Sequence, residues 1–198
     1  QFNHSGGFRT SALPSSSPTS GVFVAVGEYG ETFRSIDNGT SWDNGTCIFL
    51  NKHLYGAAYG NNTFVAVGAS GKIARSTDNG SSWMNSTSGS NSSELRGVTF
   101  GNNTFVAVGH NNKIVRSTDN GSSWNSSNSG VSYHYFKGVA FGNNIFEVVG
   151  QESSANTHVK ILKSTNDGSN WTSQNSPYNN ERDLYGVTYG NNKFVAVG

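Results

Sequence analysis

The chain contains one cysteine, Cys47, so no disulfide can close within it and cysteine pairing gives no clue to compartment. Cys47 reads as a small apolar residue in or near a strand rather than as a reactive thiol. Charge is also scarce. Asp, Glu, Lys and Arg make up 13% of the 198 residues, where roughly 25% is ordinary for a soluble protein. Net charge is +1, and no basic run is longer than a pair. A nucleic-acid or anionic-membrane partner needs a clustered positive footprint, so neither is expected. No apolar run approaches the ~20 residues that span a bilayer as a helix, so no membrane insertion is expected. No segment keeps a 3.6-residue period and glycine recurs throughout, which excludes a helical solenoid. The histidines His4, His53, His110, His134 and His158 show no metal-ligand spacing, and no metal or other cofactor is expected.

What the chain has in quantity is glycine, 25 residues, and asparagine, 26. Many of them fall in a repeated octapeptide. Ser76-Thr77-Asp78-Asn79-Gly80-Ser81-Ser82-Trp83 returns unchanged at 117–124, and close copies occupy 35–42 and 164–171. The pattern Ser-x-Asp-x-Gly-x-x-Trp reads as a structural turn. Its Asp can accept hydrogen bonds from backbone N–H groups of its own turn. Its Gly supplies positive φ, and its Trp covers apolar surface between neighbouring units. The residues so placed are Asp37, Gly39 and Trp42; Asp78, Gly80 and Trp83; Asp119, Gly121 and Trp124; and Asn166, Gly168 and Trp171. The fourth copy has Asn at the acidic place, which can still accept through its carbonyl.

Between the turns lie three further repeated segments. Phe-Val-Ala-Val-Gly stands at 23–27, 64–68, 105–109 and 194–198, with Phe146–Gly150 as the variant, and reads as a strand buried on both faces. It is preceded by strands at 54–59, 95–100, 136–141 and 184–189, whose third residue is always Gly, as close approach of backbones near a crowded axis requires. Gly-Asn-Asn joins the two as a hairpin. A third strand precedes each octapeptide and a fourth begins at each Trp. Units of ~40 residues with four antiparallel strands predict an all-β fold, a five-bladed β-propeller. Residues 21–198 carry the repeats, and residues 1–20, with Pro14 and Pro18, read as an irregular segment.

These turns resemble the Asp box of Asp-box (BNR-repeat) β-propellers, a superfamily that includes sialidases and sortilin-type receptors. The resemblance covers residues 21–198 and implies a fold rather than an activity, because the box lies on the blade periphery in that superfamily. A sialidase would need an arginine triad, and the Arg-Ile-Pro signature is absent. Arg34, Arg75 and Arg116 share one repeat position and read as parts of the blade, while Arg9, Arg96 and Arg182 show no family context.

Three functions are weighed. The first is a non-catalytic extracellular scaffold, structural or protein-binding. The second is a lectin-like module with sugar pockets between blades, contacted by Tyr29, Tyr133, Tyr135 and Tyr178. The third is a glycoside hydrolase, which needs two carboxylates at a set separation. Outside the turns its candidates are Glu28, Glu31, Asp43, Glu94, Glu147, Glu152, Glu181 and Asp183, and Glu147 stands out because it interrupts an apolar strand. The scaffold is preferred and an enzyme is not expected. The expected partners are a second copy of the chain or glycans.

Eleven Asn-x-Ser/Thr sequons, at Asn3, Asn38, Asn44, Asn61, Asn79, Asn85, Asn91, Asn102, Asn120, Asn125 and Asn170, point to an extracellular glycoprotein. The chain opens on Gln1, which predicts a processed protein or a fragment. The last Phe-Val-Ala-Val-Gly strand has no third or fourth strand after it. Gly7–Ser11 echoes Thr32–Ser35, so the N-terminus is expected to close this last blade, or the blade is left incomplete and is completed by another chain through strand addition.

Overall fold

The computed structural model describes residues 9–10, 21–45, 49, 51–86, 93–132, 134–152, 160–175 and 183–198. Its regular elements are β-strands, with short 3-10 turns at Glu28–Gly30 and Ala69–Gly71. The first sheet holds β1 (Arg9–Thr10), β2 (Phe23–Val26), β3 (Thr32–Ser35) and β4 (Asp43–Gly45). The second holds β5 (Leu54–Gly60), β6 (Thr63–Gly68), β7 (Ile73–Ser76) and β8 (Met84–Ser86). The third holds β9 (Leu95–Gly101), β10 (Thr104–Gly109), β11 (Ile114–Ser117) and β12 (Asn125–Ser126). The fourth holds β13 (His134–Gly142), β14 (Ile145–Glu152), β15 (Lys160–Ser164) and β16 (Thr172–Asn175). The fifth has two strands among the described residues, β17 (Gly186–Gly190) and β18 (Lys193–Val197). Every pairing between these strands is antiparallel and joins strands consecutive in the chain, and an isolated parallel bridge links Asn128 to Asn170.

The core lies between sheets. Val24 and Val26 of the first sheet meet Phe64, Ala66 and Trp83 of the second. Val65 and Val67 of the second meet Phe105, Ala107 and Trp124 of the third, and Val106 and Val108 of the third meet Phe146, Val148 and Trp171 of the fourth. Alternate residues of one strand thus serve two interfaces. This is why β6 and β10 are buried at every residue and read as continuous apolar runs.

In the second to fifth sheets the hairpin between the first two strands turns on two asparagines with positive φ, 46° and 56° at Asn61 and Asn62, as a type I′ turn demands. The inner strands then approach along a line of glycines. A β-carbon on Gly97 would stand 3.4 Å from Cα of Gly138, and one on Gly138 would stand 3.2 Å from Cα of Gly186. At the far end of each inner strand, the rings of Phe100, Phe141 and Tyr189 occupy the space a side chain on Gly60, Gly101 or Gly142 would need.

The N-terminal segment is placed differently from expectation. Arg9 and Thr10 pair with Val26 and Ala25, so β1 is the inner strand of the first sheet and does not close the last. Pairing with β2 closes a short loop, whereas pairing with β18 would close a loop of nearly the whole chain, at greater entropic cost. Arg9 and Thr10 therefore do not hold the third-strand place that their likeness to Arg34 and Ser35 suggests.

Candidate binding site

Each octapeptide folds into the same hydrogen-bonded turn. In the second sheet, Ser76 Oγ donates to Asp78 Oδ1 and accepts from Gly80 N, while Asp78 Oδ1 also accepts from Ser82 N at 2.9 Å. The Ser82 hydroxyl donates to Asp78 Oδ2. Hydrogen bonds from Ser41 and Ser35 lower the Asp37 carboxyl to about 2, and those from Ser82 and Ser76 do the same for Asp78. At Asp119 partial burial acts upward, but Ser123 and Ser117 outweigh it and the carboxyl again falls to about 2. The fourth turn keeps the shared acceptor: Ser164 Oγ and Asn170 N both donate to Asn166 Oδ1, at 2.9 and 3.0 Å. Its amide nitrogen cannot accept from a hydroxyl, and Asn170 stands where the other turns have Ser.

The turn is fastened to the preceding sheet. Arg75 Nε donates to the Asn120 carbonyl at 2.8 Å, and Arg116 Nε donates to the Asp167 carbonyl at 2.9 Å. Ser86 and Ser127 hydroxyls donate to the carbonyls of Gly121 and Gly168. Arg34 instead pairs with Asp43 at 2.8 Å. Arg75 and Arg116 thus join sheets, whereas Arg34 bridges two strands of its own sheet. Trp83, Trp124 and Trp171 fill the spaces between sheets, where sugar pockets had been expected, whereas Trp42 is exposed.

A cavity of about 720 Å³ opens where the inner strands converge, lined by β5, β9, β13 and Tyr185–Tyr189. Four of its lining residues share a distinctive backbone position. Leu54 pairs with Gly68 and Gly56 with Val67, which leaves Tyr55 as the extra residue of a β-bulge. Arg96 and Lys137 are bulged in the same way in β9 and β13. Tyr185 precedes Gly186 in the fifth sheet and lines the same cavity. A bulge re-aims the side chain it carries. Here it presents Tyr55, Arg96 and Lys137 to the cavity, with Tyr185 at the matching place before its glycine, so one repeat position carries three residue types.

These residues are tied to a second tier. The Arg96 guanidinium lies 4.1 Å from the centre of the Tyr55 ring, a cation–π contact, and its Nη2 bonds Glu94 Oε2. Glu94 also lies 3.5 Å from His110 Nδ1, and the His110 ring packs on Tyr135 with centroids 4.6 Å apart. Burial holds the His110 imidazole below its ordinary value against the upward pull of Glu94. Burial, reinforced by Arg96, also lowers the Lys137 amine. Burial raises the Tyr55 phenol, with Glu94 adding to it, and the hydrogen bond to Asp183 raises that of Tyr185. Arg96 Nε and His110 Nε2 are buried without a hydrogen-bond partner.

Among the expected contact residues, Tyr135 belongs to this cluster and Tyr29 is exposed beside His53, 5.3 Å between ring centroids. Tyr133, Tyr178 and Cys47 lie outside the described residues, as do the sequon residues Asn3 and Asn91. Asn38, Asn61, Asn79, Asn102 and Asn120 sit in tight turns with positive φ. Three of them bond across sheets: Asn61 Nδ2 donates to Asn103 and Asn120, and Asn102 Nδ2 donates to Asp167. Asn44, Asn85 and Asn125 lie exposed on the outermost strands, and Asn170 is exposed in its turn. Of the acids weighed for hydrolysis, Asp43, Glu94 and Glu147 are in ion pairs with Arg34, Arg96 and Lys163. Glu147 occupies the strand position of Val24, Val65 and Val106, and is buried. Reading residue by residue missed Arg96 and Lys137. The signal was their shared place, one residue before a glycine that never changes.

No protein-family model and no curated protein matches the chain. Among solved structures, it is similar to Ycf48 from Cyanidioschyzon merolae, with a TM-score of 0.65 and 17% identity over 94% of this chain and 64% of that one. It is also similar to Ycf48 bound to a D1 peptide, with a TM-score of 0.63 and 16% identity over 93% of this chain and 61% of that one. The chain therefore spans less than two thirds of these neighbours. The likeness shows the fold, a β-propeller, alone.

Proposed function

We propose that this chain is a non-catalytic β-propeller scaffold that holds a protein partner, gripping an extended segment of it across the inner-strand cavity. One observation carries the reading: Tyr55, Arg96 and Lys137 are the extra residues of successive β-bulges and, with Tyr185, line one end of that cavity. Aromatic and arginine side chains are the residue types that dominate protein interfaces. The solved structure of Ycf48 with a D1 peptide supports the reading by showing that this fold takes a peptide. The test is selection of peptides from a displayed library on the chain, followed by titration of the best binder. Arg96→Ala with Lys137→Ala is expected to weaken it at least about tenfold. Unchanged affinity in the double variant would remove the cavity as the site.

The reading extends to family and location. The four octapeptide turns are taken as Asp boxes, the five sheets as five blades, and the chain as extracellular with sugar on Asn44, Asn85 and Asn125. The turns' hydrogen bonds support the first and the sequons the last. Intact mass of the chain secreted from a eukaryotic host, before and after deglycosylation, tests the location, and an unchanged mass would end it.

A further inference from the structure

The loop between the second and third strands is built alike in three sheets. Gly27, Gly68 and Gly109 N donate to the carbonyls of Glu31, Lys72 and Lys113. The second loop residue is left-handed each time, with φ 54° at Tyr29, 56° at Ser70 and 55° at Asn111, and it faces solvent in all three. Small polar residues take that backbone at modest cost, whereas a bulky ring does so rarely. Strain of this kind gathers at sites where the side chain has a use.

The first of these loops also differs in charge. It reads Glu28-Tyr29-Gly30-Glu31, where the others read Ala69-Ser70-Gly71-Lys72 and His110-Asn111-Asn112-Lys113. Both glutamates are exposed, and no ion pair among the described residues takes up either one. Tyr29 is 57% exposed, and a path of rings leads from it to the cavity. The His53 ring lies 5.3 Å from it, His53 stacks on Tyr55 at 6.2 Å, and Tyr55 lines the cavity. Two rings beside this path carry a cation of the chain. Lys72 Nζ lies 5.4 Å from the centre of Phe49, whose carbonyl stands against Gly30, and Arg96 lies over Tyr55.

We propose that Tyr29, with Glu28 and Glu31, is a subsite for a lysine or arginine of the protein partner, resting on the reading that the cavity holds an extended segment. The segment leaves the cavity over His53 and lays its cation on the Tyr29 ring. A tyrosine face attracts a cation through its quadrupole, and the flanking carboxylates complement the charge. An apolar residue would gain from the ring but strip water from two carboxylates without compensation. The other two loops hold Lys72 and Lys113 where this one holds Glu31, so they repel the same cation and only the first sheet offers the subsite. The two ring steps from Tyr55 to Tyr29 correspond to about three residues of extended chain at ~3.3 Å each.

Parallel selections from one random-peptide library, on the wild-type chain and on Tyr29→Asn, test the subsite. Wild-type pools are expected to enrich Lys or Arg at one fixed place in the peptide, and Tyr29→Asn pools to lose that preference. Against a peptide selected on the wild type, Tyr29→Asn is expected to weaken binding about fivefold and Tyr29→Phe to retain it. Glu28→Gln with Glu31→Gln is expected to make binding less sensitive to salt. Asn suits the left-handed position, so Tyr29→Asn should unfold at or above the wild-type temperature, which separates lost binding from lost fold. No basic preference in the wild-type pool, the same preference on Tyr29→Asn, or Tyr29→Phe binding no better than Tyr29→Asn would each overturn the proposal. Any of these with peptides that still weaken in Arg96→Ala with Lys137→Ala would leave the cavity reading standing. Peptides that depend on Tyr29 yet ignore that double variant would overturn the cavity reading and the path proposed between the two sites. A library that yields no binder overturns both.

Discussion

A β-carbon on Gly121 would stand 2.9 Å from Cγ2 of Val65 in the sheet before it, so the turn of one sheet touches the buried strand of its neighbour with bare backbone. Gly121 also has φ +76°. Two independent requirements therefore exclude a side chain there. Gly121→Ala is expected to lower stability by about 2 kcal/mol, combining ~1 kcal/mol for positive φ with a similar cost for the displaced valine. Gly39, with φ +84° and open space around it, supplies the control. Gly39→Ala should cost only about 1 kcal/mol. Urea denaturation of both variants measures the difference, and equal losses would show that the contact with Val65 contributes nothing.

Trp124 and Trp42 occupy the same repeat position in opposite surroundings. Trp124 packs against Phe105 at 6.4 Å between centroids and is buried in the joint, while Trp42 is exposed. Trp124→Ala should cost about 3 to 5 kcal/mol, as loss of a large core side chain does. Trp42→Ala should change monomer stability by less than about 1 kcal/mol. Thermal unfolding of the two variants is the appropriate measurement.

The turn carboxylates set the behaviour in acid. Hydrogen bonds from Ser82 and Ser76 hold the Asp78 carboxyl at about 2, below its ordinary 3.8. A folded-state value below the unfolded one means stability that is present above pH ~4 and lost as pH falls toward 2. Asp37 and Asp119 act in the same direction. Asn166 does not titrate. Asp78→Asn should therefore reduce stability at pH 7, through the lost bond to Ser82, and flatten the decline between pH 4 and 2. An unfolding series with the same acid slope in variant and wild type would count against the assignment.

Glu147 has the opposite sign. Burial raises its carboxyl from 4.5 despite the partly compensating Lys163, whose Nζ lies 3.6 Å away. A raised carboxyl favours the protonated folded state, so its contribution to stability declines as pH rises past 4.5 through the folded-state value. Glu147→Val restores the side chain that the other sheets carry and is expected to be neutral or stabilising by about 1 kcal/mol at pH 7. Lys163→Met leaves the buried carboxylate without its cation and is expected to cost about 2 to 3 kcal/mol. Chemical denaturation at pH 7 of the two variants separates these outcomes.

Much of this architecture is legible because it is local. The Asn61-Asn62 hairpin, the doubly buried Phe64–Val67 run and the glycines at 56, 97, 138 and 186 each follow from one residue type at one backbone position. The third strands run up to the first residue of each octapeptide, Ser35, Ser76, Ser117 and Ser164. The position of β1 was not legible, since Arg9-Thr10 resembles a third strand and only competition between two distant edges decides its place. The cavity was harder still. Nothing in Arg96 or Lys137 alone marks a site, and the bulge that aims them arises from pairing with β10 and β14. Glu147 was conspicuous in sequence, yet its ion pair with Lys163 on the neighbouring strand is a property of register.

Because every sheet is built from consecutive strands and joined only to its neighbours, whole units are interchangeable parts. Phe64, Ala66 and Trp83 meet the first sheet with the same residue types that Phe105, Ala107 and Trp124 turn toward the second. Deleting residues 64–104, one period measured from Phe64 to Phe105, would splice β5 to β10 through an intact Gly-Asn-Asn hairpin. The resulting sheet would meet Val24 and Val26 with unchanged chemistry. In such a molecule size is a count, and the chain can gain or lose a unit without any residue having to learn a new neighbour.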